Sequence, residues 1–291
     1  MMKREYKMTD KIKGILHIIA AAFFFSLMTF FVRLAGDVPS FQKAFFRNIV
    51  ALIAATVMLL KTEEKFHIKK GSLPFLFLRA ACGFTGLICN FYAIDRLNIA
   101  DANMLNKLSP FFAIIFSIFI LKERAGKRDW AAVIIAFIGA LFVMKPSLHM
   151  SFVPAMIGAL GGLGAGVAYT FVRLLGNRGE RGSVIVFFFS LFSTLMLTPV
   201  MVLHYTPMSS KQWLILILAG FAAMGGQLNI TAAYTYAPAK DISVYDYSQI
   251  LFAAILGFLF LNQIPDIYSL LGYVIIIGAA IFRWVYRNQP S

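Results

Sequence analysis

The sequence predicts an all-α polytopic membrane protein, ten transmembrane helices arranged as two inverted repeats of five. Three observations carry this. The composition suits a chain solvated by lipid: 60% of the 291 residues are hydrophobic and 14% charged, with a mean hydropathy of +0.78, whereas a soluble domain carries roughly 25% charged side chains. Apolar runs of about 20 residues, long enough to cross a hydrocarbon layer as a helix, follow one another along the chain. The chain also repeats itself: Phe31–Asp37 (FVRLAGD) returns 140 residues later as Phe171–Asn177 (FVRLLGN). The register holds far downstream, where Ala113–Leu121 (AIIFSIFIL) lies over Ala253–Leu261 (AAILGFLFL) and Asp101 over Asp241. Unrelated segments do not keep step over such a distance.

The first span is expected at residues 14–35. No small-residue cleavage site precedes Arg33, so it reads as a retained helix and no cleaved signal peptide is expected. The second, 41–60, places Lys43 and Arg47 on one face at i, i+4. The third, 72–94, sets Arg79, Gly83, Gly86 and Asn90 along one face, with Cys82 and Cys89 seven residues apart. That spacing separates the two thiols by roughly 10 Å, too far for a disulfide. The fourth, 100–121, carries Asn103, Lys107 and Pro110 at i, i+4, i+7, a polar stripe ending in a helix breaker. Proline there frees the carbonyl of Asn106 for a substrate, a side chain or water. The fifth follows at 128–146.

The second half repeats the scheme. The sixth span, 153–175, holds Gly158, Gly162 and Gly166 in a small-xxx-small ladder that lets another helix approach closely. The seventh, eighth, ninth and tenth are expected at 183–203, 212–236, 240–261 and 266–286. Asn229 nearly repeats Asn90; Asp246 stands at the position of Asn106 and Ser243 at that of Asn103. The ninth span thus repeats the polar stripe of the fourth with an acid in it. Five crossings per repeat turn the second module upside down relative to the first. The inversion places Lys107 in the outer half and Asp246 in the inner half. The chain then divides into an N-terminal tail (1–13), a first repeat (14–146), a second repeat (153–286) and a C-terminal tail (287–291).

Orientation follows the basic residues. One side collects Lys3, Arg4, Lys7, Lys11, Lys13, Lys61, Lys65, Lys69, Lys70, Lys122, Arg124, Lys127, Arg128, Arg178, Arg181, Lys240, Arg283 and Arg287, whereas the opposite loops, bases inside the spans aside, offer Arg96, Lys145 and Lys211. Both termini are therefore expected in the cytoplasm. The net charge of +14 is explained by this topology, and no nucleic-acid partner is expected. Catalytic and metal-binding signatures are missing from the sequence, so neither an enzyme nor a bound cofactor or metal is expected.

Inside or at the ends of the spans lie Arg33, Lys43, Arg47, Arg79, Lys107 and Arg173. Arg33 and Arg173, in the last turns of their helices, are expected to snorkel to the interface. Lys43, Arg47, Arg79 and Lys107 would cost about 2.5 kcal/mol or more facing lipid, so each should face the interior of the bundle or a water-filled cavity. Two uses are open there. The charges neutralise one another, as Arg79 with Asp246 or Lys107 with Asp101, or they bind a ligand. Tyr92, Tyr169, Tyr234, Tyr245 and Tyr247 are aromatic candidates for the same region.

The run Ala100-Asp101-Ala102-Asn103 leading through Ser109-Pro110 to Leu121-Lys122-Glu123, with its repeat from Lys240 to Gln263, resembles the EamA-type members of the drug/metabolite transporter superfamily. Arg47, Leu78-Arg79-Ala80 and Asn90-Phe91-Tyr92-Ala93 also match patterns common there, and the resemblance covers both halves. It implies that spans 3, 4, 8 and 9 surround a central site, that 1, 2, 6 and 7 gate it, and that 5 and 10 are peripheral. One departure is Gln263, which stands where the first half has Glu123.

The expected function is transport of a small polar organic metabolite across the cytoplasmic membrane by alternating access. Its substrate is expected to be amino-acid-like, zwitterionic or carboxylate-bearing. The candidate residues are Arg47, Arg79, Asn90, Asn103, Asn106, Lys107, Asn229, Ser243, Asp246 and Tyr247. The expected partners are the substrate and the bilayer, with a homodimer compatible with the sequence. A non-transporting scaffold or a subunit of a lipid-processing complex is the alternative.

Overall fold

The computed structural model describes residues 2–97, 99–146, 151–262 and 264–286, with the side chains of 2–8, 95 and 99–101 outside the description. Expectations that rest on the side chain of Asp101, on Gln263 or on Arg287 therefore lie outside the described residues.

Twelve α-helices and one 3-10 turn make up the chain as described: α1 (Met2–Leu34), α2 (Ser40–Leu60), α3 (Leu73–Arg96), α4 (Ile99–Asn106), α5 (Ser109–Leu121), α6 (Lys127–Met144), α7 (Phe152–Asn177), α8 (Gly182–Leu203), α9 (Ser210–Tyr236), α10 (Ala239–Ile242), the 3-10 turn (Ser243–Tyr247), α11 (Ser248–Leu261) and α12 (Ile267–Val285). These form the ten expected crossings, with spans 4 and 9 each broken. Among the described residues nine segments combine the length and hydropathy of a membrane crossing. The tenth, α6, is long enough but opens on Lys127, Arg128 and Asp129.

The first helix starts at Met2, well before the expected residue 14. Residues 2–13 contain neither glycine nor proline, so nothing stops the helix from extending into water. Lys11 on this extension pairs with Asp241 at 3.2 Å.

The break in span 4 is the one Pro110 requires. The break in span 9 has no proline at its centre and differs from the single helix expected. Ser243-Val244-Tyr245-Asp246-Tyr247 tightens into a 3-10 turn, a run of β-branched, aromatic and backbone-competing residues with low helix propensity. The two broken spans end alike: Lys122 and Asn262, 140 residues apart, both take the left-handed conformation, with φ of 55° and 52°.

Packing pairs the repeats. Helix α1 lies along α9 and α3 along α7, two contacts that exchange under the repeat symmetry; α2 lies against α8 and α6 against α12. Glycine permits the closest approaches. Gly158, Gly162 and Gly166 face Leu105, Leu108, Ser109 and Phe112 of span 4, so the expected ladder is a packing face for the broken helix. A second glycine face on α7, Gly161 and Gly164, meets the backbone of α3 at Gly86. Gly139 and Gly272 let α6 and α12 touch backbone to backbone. Outward, Ile53, Phe77, Phe119, Val202, Phe258, Leu259, Val274 and Ile281 are all more than half exposed. This surface is what a helix bundle presents to lipid.

One buried ionic cluster ties the peripheral pair α6–α12 to the start of span 9. Arg283 bridges Asp129 at 2.9 Å and also pairs with Asp241, while its Nε donates to the Lys240 carbonyl at 3.2 Å. Asp241 is thereby held in a structural network with Lys11 and Arg283, away from Asp246 at the other end of the turn.

Candidate functional site

The two broken spans bring their breaks together at the middle of the bundle. Lys107, in the gap between α4 and α5, sends Nζ to Oδ2 of Asp246 at 2.8 Å and to the Asp246 carbonyl at 3.2 Å. The same ammonium donates to Oε1 of Gln249 at 2.7 Å, so its three N–H groups are used. In return the Tyr247 hydroxyl donates to the Lys107 carbonyl at 2.9 Å. The carbonyl that the opposite repeat takes up is thus that of Lys107, the neighbour of the Asn106 carbonyl expected to be free. Ser26 of α1 donates to the Gln249 carbonyl at 2.8 Å, fastening this knot to the first helix.

This arrangement decides between the pairings that the sequence left open: Lys107 pairs with Asp246, and among the described residues no Arg79–Asp246 pair is found. Each residue lies only about 12 Å along its helix from its own end of the bundle. Two such half-crossings from opposite sides meet in the middle. The pair is electrically neutral and nearly desolvated, with side chains 11% and 13% exposed.

Two guanidiniums lie nearby with no such neutralisation. Arg79 is 2% exposed; it donates to Oε1 of Gln227 at 3.2 Å and lies over the ring of Phe189 at 4.0 Å. Its Nε is buried without a hydrogen-bond partner. A Cβ at Gly83 would collide with its Nη1, so the glycine makes room for the group. Arg47, half-buried on α2, reaches over Phe25 at 5.9 Å, and its Nε too is buried and unsatisfied. Among the described residues neither arginine has a carboxylate partner. Tyr169 of α7, stacked on Tyr234 of α9 with centroids 4.8 Å apart, lies within electrostatic reach of Arg47, Arg79 and Asp246.

The other candidates divide. Asn103 and Asn106, on α4 just before Lys107, are half-buried. Asn90 packs against Gly161 with a buried, unsatisfied Oδ1. Ser243 is fully buried at the head of the 3-10 turn, beside Tyr234. Asn229 instead joins α1 to α9: its Oδ1 lies 2.7 Å from Nδ1 of His17 and its amide donates to the Gly225 carbonyl. Lys43, expected in the interior with Arg47, instead ends at the surface, where it is near enough to the start of α2 to donate to the Gly36 carbonyl at 2.7 Å. Gln227 and Gln249, which hold Arg79 and Lys107, were missed by sequence reasoning that followed charges; an uncharged amide inside an apolar run was the available signal.

At one end of the bundle Arg173 does not snorkel. It donates from Nε to Glu123 at 3.3 Å and from Nη1 to the Thr235 carbonyl at 2.6 Å, linking α5, α7 and α9. Burial pushes the Glu123 carboxyl above its ordinary range, and Arg173 opposes that rise.

The model of the EamA-like transporter family matches the chain twice, over residues 12–145 and 154–284. The pseudopaline exporter CntI of Pseudomonas aeruginosa is 32% identical over 92% of this chain and 94% of its own length. Solute carrier family 35 member G1 of Homo sapiens is 26% identical over 95% of this chain and 81% of its own. A solved crystal structure superposes with a TM-score of 0.80 over 96% of this chain and 99% of that one, at 16% identity.

Proposed function

The chain belongs to the EamA-like transporter family, a multi-pass membrane transporter of a small-molecule substrate within the drug/metabolite transporter superfamily, and from that premise we propose that it is a secondary carrier working by alternating access in the cytoplasmic membrane. A family of transporters sets aside the scaffold and enzyme alternatives. The substrate is a small polar metabolite bearing a carboxylate. The observation that carries this is the contrast at the centre: Lys107 and Asp246 satisfy each other, whereas Arg47 and Arg79 have buried, unused N–H groups and, among the described residues, no acid. Guanidinium forks are matched to carboxylates in geometry and charge. Both termini lie in the cytoplasm by the distribution of basic loops, and the name of the Pseudomonas relative supports export.

The Lys107–Asp246 pair is the coupling device of this reading. It is the one described ion pair that joins the breaks of the two repeats, so protonating Asp246 would release Lys107 and free one broken span from the other. The test is reconstitution of the purified protein into liposomes with a metabolite extract, reading the transported compounds by mass spectrometry. Lys107→Met is expected to abolish transport while leaving membrane expression intact. Asp246→Asn is expected to lose transport driven by a proton gradient and to keep substrate exchange. Wild-type transport by Lys107→Met would remove that residue from the mechanism, and unchanged gradient-driven transport by Asp246→Asn would do the same for the acid.

A further inference from the structure

The proposed substrate class can be narrowed by counting charge at the centre. Lys107 and Asp246 cancel. Among the described residues of the central region, Arg47 and Arg79 then remain, two permanent positive charges that repel each other. Arg79 is built into place: Phe189 covers one face of its guanidinium, Gln227 holds Nη2, and the absence of a side chain at Gly83 leaves space at Nη1. Such a group is preorganised, yet its Nε is buried without a partner.

The two arginines enter from opposite ends. Arg47 lies about 10 Å along α2 from its start and Arg79 about 9 Å along α3 from its own. These helices run antiparallel, so across a hydrocarbon layer of about 30 Å the two backbones differ in depth by roughly 10 Å. Side chains of arginine length close part of that gap, and both guanidiniums interact electrostatically with Tyr169. One compact carboxylate satisfies one fork. A molecule with two separated anionic groups satisfies both and brings the region to neutrality.

We propose that Arg47 and Arg79 form a two-point anion site and that the carried metabolite is a dianion, with two carboxylates or chemically equivalent groups set apart by a spacer. This rests on the carrier reading above and excludes a zwitterion as the preferred form. An ammonium would find Asp246 already engaged by Lys107, and it would sit beside two guanidiniums.

The test uses the purified full chain and three homologous series of matched length: α,ω-dicarboxylates from succinate to suberate, the corresponding monocarboxylates, and the corresponding ω-amino acids. Thermal stabilisation by each is titrated. Dicarboxylates of one or two adjacent lengths are expected to stabilise the wild type, with monocarboxylates about tenfold weaker, as loss of one charged contact implies, and ω-amino acids weaker still. Arg47→Gln and Arg79→Gln should each abolish the preference for two charges, while Lys61→Gln, at the surface, keeps it. Arg79→Lys, which retains charge without the fork, is expected to bind less tightly with the preference intact and serves if the glutamine variant fails to fold. Equal or better stabilisation by ω-amino acids, no stabilisation by any dicarboxylate, or stabilisation indifferent to both arginines overturns the proposal. Transport of zwitterions by reconstituted protein would then leave the carrier reading standing. Absence of transport of any compound from the extract would instead remove the reading beneath it.

Discussion

At the residue scale, charge inside the membrane is the most informative signal in the chain, and the structure shows how far it reaches. A lysine or arginine deep in an apolar run must find a partner, so Arg47, Arg79 and Lys107 were legible as interior residues from the sequence, whereas Lys43, one turn nearer the helix start, reaches the surface. The partners of those three were not legible, because pairing depends on which helices meet. Lys107 finds Asp246 across 139 residues of chain, and Arg173 finds Glu123 and Thr235 where snorkelling was expected. Glu123 yields a prediction at this scale. Burial raises its carboxyl pKa above the unfolded value near 4.5, so the folded chain holds a proton that the unfolded chain releases. Its contribution to stability is therefore present at acid pH and lost as pH rises through the raised value. Replacing Glu123 with glutamine, the residue found at position 263, is expected to flatten the thermal stability profile over that window; a profile unchanged in slope would show that Glu123 does not titrate there.

At the element scale, the ten crossings, the 140-residue register and the glycine ladder could all be read from periodicity and composition. The break in span 9 could not. Proline announces the first break, whereas the second arises from a weak helical run captured by Lys107 and by the packing of Tyr247, both contacts made across the fold. The second glycine face of α7 was hidden for the same reason, since only the docked α3 shows why Gly161 and Gly164 are bare. A Cβ at Gly86 would sit 2.8 Å from the backbone nitrogen of Ala165 and 3.0 Å from the Gly161 carbonyl, neither of which can step aside. Gly86→Val is expected to destabilise the protein by about 1–3 kcal/mol or more through forced separation of α3 from α7. Gly278→Ala, with nothing within 4 Å of the added carbon, is expected to be neutral or stabilising by up to about 1 kcal/mol. Melting both variants in the same detergent checks the pair; a tolerated Gly86→Val would mean that the close helix contact is not rigid.

At the scale of the whole molecule, the two repeats are alike in sequence and unlike in their contacts. Helices α7 and α9 meet at their C-terminal ends, where Gly176 packs on Thr235 and Arg173 holds the Thr235 carbonyl. Their repeat counterparts are α1 and α3, and among the described residues no comparable packing joins those two. Inverted repeats exchange roles between the two sides of a membrane. The structure thus fits a state closed at the end carrying Arg178 and Lys240, with the opposite end free to close in its turn. The direct test pins that closed end. In a Cys82→Ser, Cys89→Ser background, Gly176→Cys and Thr235→Cys place their Cβ atoms about 3 Å apart, close to disulfide geometry after a small relaxation. Transport of metabolites from a cell extract by the reconstituted double-cysteine protein is then measured before oxidation, after oxidation and after reduction. The account predicts that transport falls to the level of empty liposomes when the bridge forms and returns when it is reduced. Undiminished transport through fully cross-linked protein would contradict it.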